Sequence, residues 1–322
     1  MSDETEVQPK QPPTGTPRSQ RAPIPGPVPA SETQRSNYPP GGPALQSLRP
    51  PAYGQGVILS VVVAAVVLVL AIIAAGDGDD TGIPMTETTE PIFWGLAALL
   101  IIGAGAFAQY VEINTVRLSS ENVIPGAGRT PGLPTAWAGP VVATLAAVLL
   151  VATYHNTAML LVGPAVAFLG NASALFARDL LSDATAGTER TAVAVHSVVL
   201  HIIAFLALST VYLNKMSSLW GGLLVFAIST VLFLELLDVG VLRPAVRVLY
   251  ALGGGWLMAQ CLLLVNWWPT YGWTGGAVLL VCFALIAMAL TAIAQAQTPN
   301  RRDLALYGVV AVIALAVLAV TA

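Results

Sequence analysis

The chain has 322 residues, 56% of them hydrophobic and 10% charged, with a formal net charge of −3 and a mean hydropathy of +0.74. Those proportions exclude two water-facing globules, a disulfide-stapled secreted domain and a basic nucleic-acid binder, and they describe a chain that lives in a lipid bilayer. The two cysteines, Cys261 and Cys282, both fall inside apolar stretches, where a structural disulfide is not expected.

The first 52 residues differ from the rest. They hold 13 of the 23 prolines and one aromatic, Tyr38. So little apolar surface cannot offset the entropy of ordering a backbone, so a disordered cytoplasmic tail is expected over 1–52. Prolines 23, 25, 27 and 29 favour extended polyproline II, a form suited to docking in an aromatic-lined groove. The apolar run that follows is too long, and begins too far into the chain, for the core of a secretory signal. It reads as a retained span.

A helix needs about 20 apolar residues to cross ~30 Å of hydrocarbon. Nine windows qualify, at about 56–76, 92–113, 136–154, 158–177, 191–213, 218–239, 246–267, 272–295 and 304–321. Backbone polar groups find no water in the bilayer, so each window is expected to be helical despite its many valines. The fold class expected is therefore all-α: a polytopic helical bundle over 53–322.

Basic residues resist translocation, which fixes the expected orientation. With nine spans and the N-terminus inside, 13 of the 14 basic residues face the cytoplasm and only Lys215 faces out. The first outward loop carries Asp77, Asp79, Asp80, Glu87 and Glu90 and no basic residue. Tryptophans 94, 220, 267, 268 and 273 gather at the outer boundary, where amphipathic rings prefer to sit. The expectation is a multi-pass protein of the cell membrane with its N-terminus cytoplasmic and its C-terminus outside.

Later windows echo one another. Trp220-Gly221-Gly222 resembles Trp273-Thr274-Gly275-Gly276, and Arg247 to Tyr250 resembles Arg302 to Tyr307. A duplicated two-helix unit would produce this, and so would any alternating topology with Arg inside and Trp outside.

Polar residues within the windows are the candidates for chemistry, because charge inside a membrane is costly. His196 and Glu235 lie about equally far from the turn joining the fifth and sixth windows, hence at similar depth, with Asp238 one turn below Glu235. An imidazole and a carboxylate so placed are a candidate proton or ion relay; the competing account is a boundary cluster paired with Arg243 and Arg247. Asn171, His201 and Gln260 form a candidate polar lining near the midplane, although bonds between helices would also explain them, as they would Gln109. Gly163-Pro164 and Gly253-Gly254-Gly255 mark kinks or close helix approaches. In the outward loop Asp77, Asp79 and Thr81, followed by Gly82, match the start of a calcium loop, but Thr88 stands where the bidentate Glu belongs. Nothing else suggests a metal, and no cofactor is expected.

The sequence contains no phosphate-binding glycine loop, no zinc-protease helix and no nucleophile elbow. Connections between windows are too short for a catalytic domain, which leans against an enzyme. The leading expectation is a non-enzymatic membrane component that packs with or recruits partners, either other membrane proteins or further copies of itself. The alternative is a small-solute or proton-coupled transporter.

Overall fold

The computed structural model describes residues 52–75, 91–120, 134–154, 156–182, 188–214, 218–239, 242–267 and 272–294, with isolated positions at 308, 309, 312 and 316. Among them are eight α-helices and no strand. They are α1 (Ala52–Ala75), α2 (Pro91–Ser120), α3 (Ala138–Thr153), α4 (Met159–Ser182), α5 (Glu189–Leu213), α6 (Ser218–Leu236), α7 (Pro244–Trp267) and α8 (Trp273–Ala294). A single 3-10 turn, Leu237–Val239, extends α6. The tail 1–52 and the acidic loop with Asp77, Asp79 and Thr81 lie outside the described residues, save Ala52 at the head of α1. So does the window 304–321, apart from the isolated positions.

Seven of the eight helices contain apolar spans of 19 to 25 residues, long enough to cross a bilayer. The chain is a multi-pass membrane protein with a helical bundle. α3 is the exception. Its 16 residues reach only ~24 Å at 1.5 Å per residue, short of the hydrocarbon thickness. It is also the most enclosed helix, with 13 of its 16 residues buried.

α3 is the axis of the bundle and packs against α1, α2, α4, α5 and α6. Its composition explains why so many neighbours can approach: Ala138, Gly139, Ala143, Ala146, Ala147 and Ala152 are small and buried. One side, through Val142, Ala146 and Leu149, joins an apolar cluster with Leu200, Ile203, Leu232, Phe233, Met258 and Phe283. The other, through Ala147, Val148 and Val151, joins a second cluster with Val67, Leu70, Phe93 and Ala104. Outside these contacts the helices present side chains such as Leu161, Leu219 and Leu264, each more than 70% exposed, as expected of faces solvated by lipid.

Of the glycines singled out in the sequence, Gly163, Gly254 and Gly255 are close approaches, whereas Gly253 faces open space. α7 runs unbroken through Gly253, Gly254 and Gly255. A Cβ on Gly254 would lie 2.7 Å from the Phe233 ring, and one on Gly255 would strike Thr230 and the Phe226 carbonyl, so these glycines let α7 press onto α6. Gly163 does the same against Val151 of α3, at 2.5 Å from Cγ2. Pro164 follows within the first two turns of α4, and the helix continues through it. The two Gly-Gly echoes do not share an environment: Gly276 is pressed onto Ser209, whereas Gly222 faces open space.

Candidate functional site

The polar residues of the bundle are sorted by depth. At one end, reached by the last turns of α2, α4 and α6 and the first turns of α3, α5 and α7, charged side chains converge. Arg178 of α4 is their hub. Its Nη2 lies 2.6 Å and its Nε 3.2 Å from Glu112 Oε1 of α2. Its Nη1 donates to Thr135 Oγ1, just before α3, at 3.2 Å and stands 3.6 Å from Glu235 Oε1 of α6. Nη2 is also 3.5 Å from Asp238 Oδ2. The planar guanidinium fork thus addresses three carboxylates and a hydroxyl at once, which a lysine ammonium could not do.

Asp238 closes the network. Its Oδ2 accepts from Thr135 Oγ1 at 2.9 Å, and its Oδ1 pairs with Arg247 of α7. Both Arg247 and Glu235 are buried, with Glu235 only 1% exposed. Among the described contacts of this network, three carboxylates face two guanidinium groups, a formal imbalance of one negative charge.

The start of α3 offsets part of that imbalance. No side chain caps α3; Ala138 N–H instead donates to the Thr135 carbonyl at 2.9 Å, and Pro140, the third residue of the helix, has no N–H to satisfy. The Glu235 carboxylate of α6 lies against this end of the helix, close to Gly139. Helix N-termini carry roughly +0.5 of an elementary charge, which suits a carboxylate there. Gly139 lets this approach be tight, since a Cβ would lie 3.2 Å from Glu235 Oε2 and 3.1 Å from Ala174 Cβ.

His196 of α5 is buried at 3% exposure, within electrostatic range of Arg178 and Asp238. Its Nδ1, like Glu235 Oε2, has no well-formed hydrogen bond among the described residues. The structure therefore gathers His196, Glu235, Asp238 and Arg247 at one end. Arg243 is exposed. Sequence reasoning missed Glu112, Thr135 and Arg178. Matching depth across one hairpin pairs His196 with Glu235 but reaches no other helix. The same comparison over every window puts Glu112, near the end of 92–113, and Arg178, just past 158–177, at that level.

The three midplane candidates are not brought together. Asn171 is fully buried against α3, donating to Thr144 Oγ1 at 3.1 Å and to its own helix at Ala167 O at 2.9 Å. His201 donates from Nδ1 to the Ser197 carbonyl of its own helix at 2.7 Å and meets Phe283 edge-on, ring centroids 5.4 Å apart. Gln260 is exposed on α7. At the opposite end of the bundle Asn214 ties α5 to α3, its Nδ2 donating to Thr153 Oγ1 at 2.8 Å. Among the described residues no three potential metal ligands cluster.

No curated protein and no solved structure matches the chain. A family model does, over residues 78–321, which takes in all the helices from α2 onward and every residue of the charged cluster. By that match the chain belongs to the family described as "Protein of unknown function (DUF5656)".

Proposed function

We propose that the protein is a non-enzymatic component of the cytoplasmic membrane that packs with or recruits partner proteins. It crosses the membrane nine times, counting α3 and the window 304–321, with the N-terminus inside and the C-terminus outside. The Pro-rich tail 1–52 is the recruiting element. The observation that carries this reading is the filling of the bundle centre. Leu200, Ile203, Leu232, Met258 and Leu279 are buried there, and Phe233 stacks on Phe283 with centroids 4.6 Å apart. Asn171 and His201 spend their hydrogen bonds within the bundle instead of on a path through it. Such packing suits a scaffold.

A second reading, proton-coupled transport of a small solute, is favoured by one observation: Glu235 Oε2 and His196 Nδ1 are buried and short of partners at the same end. On that reading His196, Glu235 and Asp238 carry the proton.

One set of preparations separates the two. Full-length protein in proteoliposomes is expected to pass protons no faster than protein-free vesicles, while in cells deletion of 1–51 abolishes cross-linking to partners that the full chain retains. A proton flux above the protein-free rate that Glu235→Gln abolishes would overturn the scaffold reading. A cysteine placed at position 322, in a Cys261→Ser/Cys282→Ser background, is expected to react with an impermeant maleimide in intact cells; protection there would overturn the orientation.

A further inference from the structure

Gln260 is a polar side chain in the wrong place for a monomer. It lies on the exposed face of α7, seven residues before the terminal Trp267, about 10 Å inside the end of the helix. Trp267 is 92% exposed and marks the interfacial level. Ten ångströms is more than a glutamine side chain can span, so its carboxamide cannot reach the headgroups. It makes no hydrogen bond to any described residue. A carboxamide in hydrocarbon that bonds nothing is costly, and lipid tails offer neither donor nor acceptor.

The residues around it form a continuous stripe. Leu249, Gly253, Trp256, Gln260, Leu264 and Trp267 are all exposed and recur every three or four positions, the spacing of one helix face. A Cβ on Gly253 would meet nothing within 4 Å, so a second helix could approach closely there.

We propose that this stripe is the interface of a homodimer, in which Gln260 of each copy bonds the same residue of the other. Three considerations select a second copy. A carboxamide is both donor and acceptor, and so complements itself in a reciprocal pair. A two-fold axis along the membrane normal preserves depth, so two identically oriented chains bring their glutamines to one level without further adjustment. The remaining candidate from this chain, the window 304–321, carries its only hydrogen-bonding side chains, Tyr307 and Thr321, near its two ends, and Gln260 is deeper than either. The single polar residue in an apolar stripe also fixes the register, as polar core positions do in coiled coils. The dimer is independent of whether the charged end recruits, transports or only stabilises.

The test uses the full chain in lipid bilayers with Cys261 and Cys282 replaced by Ser. With Leu264→Cys, mild oxidation is expected to give a covalent dimer, whereas Leu161→Cys, equally exposed on α4, stays monomeric. Single-molecule photobleaching across a range of protein-to-lipid ratios is expected to show pairs, and Gln260→Leu raises the density needed for half association about tenfold, the loss of one good interhelical hydrogen-bonded pair. Gln260→Leu melts like the wild type, because the residue is outside the core. Single copies at every density would overturn the proposal, as would dimers insensitive to Gln260→Leu. An intramolecular link between cysteines at 264 and 315 would show that the chain covers its own stripe, and would overturn it equally.

Discussion

The sharpest consequence of the charged end concerns Arg178→Ala. The substitution removes the contacts to Glu112, Thr135, Glu235 and Asp238 and changes the local balance from three carboxylates against two guanidinium groups to three against one. The cost is not shared evenly. The side chains of Glu112 and Asp238 are 29% and 28% exposed and regain water, whereas that of Glu235 is 1% exposed and does not. Removing one member of a buried ion pair costs about 3–5 kcal/mol. For a protein of this size each kcal/mol corresponds to roughly 2–4 °C, so the expected fall in Tm is about 6–20 °C. The native thiols Cys261 and Cys282 are half-buried and free, so their reaction with a fluorogenic maleimide during heating in mild detergent reports the unfolding. Arg178→Lys should fall in between, keeping charge but losing the fork. In Arg178→Ala/Glu235→Gln the stranded carboxylate is gone, and about 1–3 kcal/mol should return. A fall of less than about 2 °C for Arg178→Ala, or a double variant as unstable as the sum of its parts, would refute the idea that Arg178 neutralises Glu235.

Three further expectations follow from the packing. Gly255→Ala drives a methyl into Thr230 and the Phe226 carbonyl and should destabilise by about 1–3 kcal/mol, while Gly222→Ala, which faces open space, should be neutral or slightly stabilising in the same melting assay. His201→Phe should cost no more than about 1.5 kcal/mol, the net worth of one hydrogen bond, because the imidazole bonds only its own helix and, being half-buried beside Phe283, leaves the larger ring room towards lipid. Asn171→Leu removes the tie to Thr144 and should cost about 0.6–2 kcal/mol, with Thr144→Val costing no more when added to it.

The helices were legible because hydrocarbon imposes one secondary structure on any apolar run of sufficient length. Window 191–213 became Glu189–Leu213, and window 246–267 became Pro244–Trp267. The windows fell short where charge begins. The run 92–113 stops just after Glu112, yet α2 continues to Ser120, because the backbone ladder is indifferent to the side chains outside it. Facing was the harder problem. A helix such as α6 is apolar all round, so nothing in its periodicity says which side meets α7. For the same reason the depth of Glu235 was readable and its partners were not: Arg178 comes from a helix 57 positions earlier in the chain. The window 136–154 reads as a full span, so neither the brevity of α3 nor its central position was visible there. The one hint was its share of small residues, among them Ala138, Gly139, Ala143, Ala146, Ala147 and Ala152.

That short central helix bears on how the protein is assembled. An ordinary span only 16 residues long would force the surrounding lipid to thin or the helix ends to be dragged into hydrocarbon. α3 escapes this by being wrapped in protein, but α5 and α6, which close one side of it, are synthesised later. Until they arrive, that side faces acyl chains that it is too short to match, and Glu235, which lies against its first turn, has not yet been made. Completion of the α5–α6 hairpin is thus the step that turns a poorly accommodated insertion intermediate into a stable membrane resident. Damage to that hairpin should be felt first as lost yield during biogenesis and only afterwards as lost activity.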